Sequence, residues 1–289
     1  MHQDIKALVT AKYPQFQNSD FVENKEGWAN RVYIVDNAYI FRFPRNTESY
    51  NDLLRERMIL PQLKKVATIA IPDFKYESLD EEKRPFVGYP MIAGIQLTKE
   101  HLAAMTDAEQ DGVARSIALF LEGLHSETLS QFAQANGLRH KTLDQWILFK
   151  NHVFEKAKIH LTETTCQIIE AFFSEFVDLM KTSAPGEAVI HGDFSSDHIL
   201  FDEHRKVLTG IIDFGDIQIG DPAFDFTGLY MDYGKEFAER VLSYYTLNKR
   251  DFLERIERFY IKQVPLHSLL YGIEQNEMDM VNVAIGKLR

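Results

Sequence analysis

Two aspartates, Asp193 and Asp213, stand at the exits of short β-branched runs, the first after Val189-Ile190 and the second after Ile211-Ile212. Between them and just before them lie further groups of the same kind. His191, Asp193, Asp197, His198 and Asp213 place five acidic or imidazole side chains within 23 residues. Paired carboxylates around a cleft suit divalent-metal binding, because a hard cation takes oxygen ligands, or general-base work, because a carboxylate can accept a hydroxyl proton. A lone aspartate at a strand end is more often a turn or helix cap. The clustering is what weighs toward a site.

The elements around these residues must bring them together. Ile199-Leu200-Phe201 and Val207–Ile212 read as two strands joined by the polar turn Asp202-Glu203-His204-Arg205. Such a hairpin folds the chain back, so that Asp193 and Asp213 can face one cleft. Upstream, Arg31–Val35 and Tyr39–Phe43 form a second hairpin around Asp36-Asn37, with Pro44 ending the outgoing strand. Residues 47–60 have helical spacing up to Pro61, and Ile71–Tyr76 and Phe86–Ile92 look like further strands. After Ala93-Gly94 the pattern turns helical. Thr106 and Glu109 have capping-box spacing ahead of a helix that ends near His125. Helices follow over 143–160 and 165–181, the second with Ile168, Ile169, Phe172, Phe176 and Leu179 on one face, and again from about 225 onward.

The 289 residues are 45% apolar and 26% charged, which is an ordinary globular composition with room for a large core. A formal charge of −11 repels phosphate backbones and argues against nucleic acid as a partner. The single cysteine, Cys166, can form no internal disulfide and reads as a buried, inert thiol. With no signal-like opening and no run of about 20 apolar residues, the sequence predicts a cytoplasmic protein without membrane contact. The expected form is a monomer.

Three stretches taken together resemble the aminoglycoside phosphotransferase family, and within it the 2″-phosphotransferases: His191-Gly192-Asp193-Phe194-Ser195-Ser196-Asp197-His198, Ile211-Ile212-Asp213-Phe214-Gly215-Asp216, and Asp221-Pro222-Ala223-Phe224-Asp225-Phe226. The likeness extends over nearly the whole chain. It implies an α+β, two-lobed, protein-kinase-like fold: a small antiparallel β lobe over 1–92, a hinge at about 89–94, and a larger, mainly helical lobe over 95–289. It also implies transfer of the γ-phosphate of ATP or GTP, with Mg²⁺, to a hydroxyl of a small antibiotic, most directly an aminoglycoside.

Site roles follow from the resemblance position by position. Asp193 would orient the acceptor hydroxyl and take its proton. Asp213 would bind magnesium, and His198 occupies the place where most members carry a metal-binding asparagine. Arg42 falls where the family has its phosphate-anchoring lysine, with Glu56 as its partner on the following helix. Macrolide phosphotransferases are similar in carrying an arginine there, so a macrolide or other acceptor is the alternative. The phosphate-covering loop would be Glu23–Asn30, with Gly27 its only glycine. Tyr89-Pro90-Met91-Ile92 would meet the purine, through the Pro90 carbonyl and the Ile92 backbone, with Tyr89 flanking the base. His191 would brace the loop through Asp225, while Asp216 and Asp221 would serve as turn or capping acids. Acids for a cationic acceptor would be Asp232, Glu274 and Glu277. Two readings of other classes stay open: a metal-dependent hydrolase, which needs further ligands, and a nucleotide-binding pseudoenzyme, suggested by Arg42 and the glycine-poor loop.

Overall fold

Asp36 and Asn37 both adopt φ of 52°, and Ala38 N–H donates to the Val35 carbonyl at 3.0 Å. Two successive left-handed residues make a type I′ turn, whose twist matches that of the strands it joins. Those strands belong to a computed structural model that describes residues 2–24, 29–80, 84–183 and 185–288. They are β2 (Asn30–Val35) and β3 (Tyr39–Pro44), and with β1 (Phe21–Asn24), β4 (Tyr76–Glu77) and β5 (Val87–Pro90) they form an antiparallel sheet in the order β1-β2-β3-β5-β4. Helix α1 (His2–Lys12) closes the small core of this lobe, where Ile5, Val9, Phe16, Tyr33, Phe41 and Phe86 pack together.

Helix α2 (Thr47–Leu63) starts from a capping box in which the Asn46 side chain accepts from Ser49 N–H at 2.9 Å. It runs through Pro61 instead of stopping there. A proline in the last turn costs only one ladder bond, and the burial of Leu60 and Leu63 offsets it. The strand expected over Ile71–Tyr76 is also corrected, because only Tyr76 and Glu77 pair with β5. Pro72 lacks a donor, and the chain just before it docks elsewhere, with the Ala70 carbonyl accepting Ile211 N–H at 2.9 Å.

Beyond β6 (Ile95–Gln96) the chain is mainly helical: α3 (Lys99–Ala103), α4 (Asp107–Leu124), α5 (Glu127–Ala135), α6 (Leu143–Ala157) and α7 (Glu163–Ser183). Thr106 and Glu109 form the capping box of α4. The buried face of α7 is Thr165, Ile169, Phe172, Phe173 and Phe176, whereas Ile168 is exposed and Cys166 only half-buried. Strands β7 (Ala188–Ile190) and β10 (Gln218–Gly220) pair with each other, and β8 (Ile199–Asp202) pairs with β6 and β9 (Val207–Ile211). Helices α8 (Asp225–Tyr233) and α9 (Lys235–Tyr244) follow. Then α10 (Phe252–Arg255) passes through a π turn, Ile256–Tyr260, into α11 (Ile261–Glu274), and α12 (Met278–Lys287) packs against it. One continuous apolar core, from Ile59 to Leu288, unites the helices with β7–β10. The result is a small antiparallel lobe above a larger helical one.

Candidate active site

The hairpin β8–β9 aligns Ile199 with Ile211, and Ile212 N–H donates to the His198 carbonyl at 3.0 Å. These pairings set the residues that flank the hairpin side by side. His198 stands between the two aspartates, with Nδ1 3.6 Å from Asp193 Oδ2 and Nε2 3.7 Å from Asp213 Oδ2. Its Nδ1 is also 2.8 Å from the Asp193 carbonyl, which can only accept. Nδ1 therefore donates to that carbonyl, and Nε2 faces Asp213. Both carboxylates are open to the crevice, with side chains 56% and 55% exposed.

Backbone geometry around them is specialised. Asp213 has φ of 62°, a left-handed conformation that is costly for a residue with a side chain and that turns its carboxylate into the crevice. Gly192, at φ 84°, lies so close to the Asp216 carbonyl that a Cβ would sit 2.4 Å from it. Only glycine fits there.

The two acids titrate differently. Desolvation pushes the Asp193 carboxyl up to about 6, with Asp216, Asp213 and Asp197 adding to the rise and His198 opposing it. For Asp213 desolvation also acts upward, but Arg42, His198 and His191 outweigh it and hold the carboxyl below the ordinary aspartate range. The two carboxyls are thus split, Asp193 holding its proton more readily and Asp213 staying ionised.

Arg42, on β3, is buried at 6% exposure and bonds Glu56 of α2, which is fully buried, through Nη1–Oε2 at 2.8 Å. Its Nη2 lies 3.8 Å from Asp213 Oδ1, so the cation points to the crevice. Burial works against the charge, yet Glu56, Tyr89 and Asp213 more than restore it, and Arg42 stays protonated. The other Glu56 oxygen, Oε1, has no hydrogen-bond partner among the described residues.

The other expected site residues fall into several surroundings. Tyr89 is buried, stacks on Phe74 at 5.8 Å and feels Arg42, Glu56 and Asp213; its hydroxyl, pushed up to about 12 chiefly by burial, belongs with the Arg42–Glu56 pair as well as with the hinge. Pro90 is exposed at the end of β5, and Met91 N–H is taken by the Ala38 carbonyl at 2.8 Å, while Ile92 packs over Gly210. His191 does meet Asp225, but through its backbone: His191 N–H and Gly192 N–H donate to the two Asp225 oxygens at 2.8 and 3.0 Å. The His191 ring instead sits 3.1 Å from the Ile212 carbonyl and, being buried, has a lowered pKa. Asp232 accepts from Ser196 N–H at 2.7 Å and so holds the loop that follows Asp193. Glu274 and Glu277 are exposed at the turn between α11 and α12 and touch none of the Asp193, His198 and Asp213 group. The loop expected over Glu23–Asn30 falls largely on residues 25–28, outside the described ones.

Two supports were not anticipated. His125, at the end of α4, meets Asp225 through Nε2 at 3.0 Å and Tyr245 through Nδ1 at 2.9 Å, all of it buried. The only hint in the sequence is a polar residue closing an apolar helix. Asp221 caps the turn at Ala223 as expected, but it also pairs with buried Arg255 at 2.5 and 3.0 Å and accepts from Tyr260 at 2.8 Å. Nothing local announces a partner 34 residues away.

Among the described residues no group of three or more His, Cys, Asp or Glu side chains is arranged to hold a metal ion. No helix is long and apolar enough to cross a membrane. Comparison with solved structures gives a TM-score of 0.87 to the GDP and kanamycin complex of APH(2″)-IIIa, at 26% identity over 99% of this chain and 97% of that one. Macrolide 2′-phosphotransferase MphH from Brachybacterium faecium shares the fold at a TM-score of 0.73 and 18% identity, over 98% of both chains. An uncharacterised Bacillus subtilis protein, YcbJ, is 25% identical over 222 residues, 72% of this chain and 67% of that protein. A sequence model of the phosphotransferase enzyme family matches residues 20–258, spanning the Arg42–Glu56 pair and both crevice aspartates, and the chain belongs to that family.

Proposed function

We propose that this phosphotransferase moves the γ-phosphoryl group of ATP or GTP to a hydroxyl of a small antibiotic bound in the crevice, an aminoglycoside being the first acceptor class. The observation that carries the reading is the Asp193–His198–Asp213 line facing the buried Arg42–Glu56 pair. In the proposed step the acceptor oxygen bonds to the γ-phosphorus as the bond from phosphorus to the β–γ bridging oxygen breaks, and the hydroxyl proton passes to Asp193. Asp193 is suited to this because its raised pKa makes it a better base than an ordinary aspartate. Arg42 holds phosphate oxygens as a fixed cation, and the Asp225 bonds to His191 and Gly192 N–H keep the Asp193 loop from shifting.

Magnesium fits the residues present. Asp213 is an ionised carboxylate open to the crevice, and His198 Nε2 stands beside it at 3.7 Å. Mg²⁺ commonly uses one or two carboxylates plus phosphate oxygens and water, so no larger protein cage is needed. When bound it would neutralise charge on the transferring phosphates. A macrolide is the second acceptor class, because Asp232 is engaged by Ser196 and Glu274 and Glu277 lie apart, which leaves few acids for a polycation.

The test is a coupled nucleotide-turnover screen with aminoglycosides and macrolides, followed by mass spectrometry for one added phosphate. The expected result is a phosphorylated product that disappears in Asp193→Asn while the melting temperature holds. Turnover that survives Asp193→Asn would remove Asp193 from its role.

A further inference from the structure

Segment 139–141 forms a wall along β10, to which it runs parallel: Ile219 N–H donates to the Arg139 carbonyl and Lys141 N–H to the Ile219 carbonyl, at 2.8 and 2.7 Å. Alternation along an extended segment puts the side chains of Arg139 and Lys141 on the same face. Arg139 reaches back to Asp216 at 3.0 Å, and the Asp216 carbonyl packs on Gly192 of the Asp193 loop. Lys141 therefore lies one step farther along the same wall.

Its ammonium has no carboxylate partner among the described residues. It stands 4.2 Å from the ring centre of Trp146 and 5.7 Å from that of Phe149, both on α6. His267, on α11, stacks on the same Phe149 at 4.4 Å and is engaged by Gln263 at 2.7 Å. Burial, with Lys141 adding to it, pushes the His267 imidazole down to about 4, so at neutral pH it is uncharged. Asp216, whose charge reaches Lys141, is already taken by Arg139. This end of the wall is one unpaired cation on an aromatic floor.

Resting on the proposed phosphotransfer, we infer that Lys141 is a specificity residue of the acceptor site, and that the part of the acceptor beside it presents oxygen atoms rather than ammonium groups. An unpaired ammonium held against rings donates to hydroxyl, ether, carbonyl or carboxylate oxygens and repels a second cation. Within a class of amino sugars it selects by where the amino groups fall.

The test compares kanamycin with its fully N-acetylated form, which keeps the hydroxyls and replaces each ammonium by an amide. Calorimetric affinities are measured for the wild type, Lys141→Gln and Lys141→Glu. Reversing the charge is expected to raise the affinity for kanamycin relative to the acetylated form by about tenfold, the range of solvent-screened ion pairs when one repulsion is lost and one attraction gained. Lys141→Gln is expected to move the ratio the same way by less, and it guards against a misfolded Lys141→Glu. In a Trp28→Phe background, emission from Trp146 should change on binding of the acetylated form and lose that response in Lys141→Gln. A ratio that moves less than about twofold, or no binding of either compound, overturns the inference. Phosphate addition is read separately by mass spectrometry: a shifted ratio without any transfer counts against the phosphotransfer reading and leaves the role of Lys141 standing.

Discussion

Removing the Glu56 carboxylate should destabilise the protein more than any exposed acid could. Arg42 is 7% exposed at its side chain and Glu56 not at all, so Glu56→Ala leaves a largely buried charge beside the space of the lost carboxylate. The remaining acid, Asp213, is 3.8 Å away and 55% exposed, too far and too solvated to take over a 2.8 Å bond. Breaking a buried pair from one side typically costs about 3–5 kcal/mol, against a total stability of roughly 5–15 kcal/mol. Glu56→Ala should therefore lose about 3 kcal/mol or more in a urea melt. Its nucleotide KM should rise together, because Arg42 is no longer aimed. The double variant Arg42→Met/Glu56→Leu removes the stranded charge and should recover most of the stability, to within about 1–2 kcal/mol of wild type, while still failing to bind nucleotide. A loss under about 1 kcal/mol in Glu56→Ala, or a double variant no more stable than the single, would refute this account of the pair.

The raised pKa of Asp193 gives a pH signature. A carboxyl held at about 6 is protonated and useless as a base below that value, so kcat/KM should fall as pH drops through about 6 and level off above it. A pH–rate profile with no acid limb within about one unit of 6 would speak against Asp193 as the base. Asp225→Ala should be severe, since it strands the His191 and Gly192 N–H groups and His125 at once; about 3 kcal/mol in a denaturant melt is expected, and less than 1 kcal/mol would mean that water replaces the carboxylate.

Local chemistry made much of this molecule legible. Asp36-Asn37 could be read as a turn because both residue types tolerate positive φ, and Thr106 with Glu109 could be read as a cap because the spacing alone makes the reciprocal bonds. The meeting of Asp193 and Asp213 was legible for a similar reason, since a short hairpin leaves little choice about where its ends go. What escaped was set by tertiary contact. His125 finds Asp225 across 100 residues and Arg255 finds Asp221 across 34, and no periodicity encodes either. Ile71–Tyr76 had strand composition but lost its ladder to Pro72 and to the docking of Ala70 on β9. For Glu274 and Glu277 the sequence offers only charge, and charge does not say which way a turn faces.

In the proposed reaction one crevice unites the two aspartates around a metal-bound nucleotide. Calorimetric titration of ATP and GTP, with and without Mg²⁺, into wild type, Asp193→Asn and Asp213→Ala tests it most directly. Magnesium-dependent binding should appear in wild type, persist in Asp193→Asn and vanish in Asp213→Ala. Nucleotide binding that ignores both magnesium and the Asp213 substitution would contradict it.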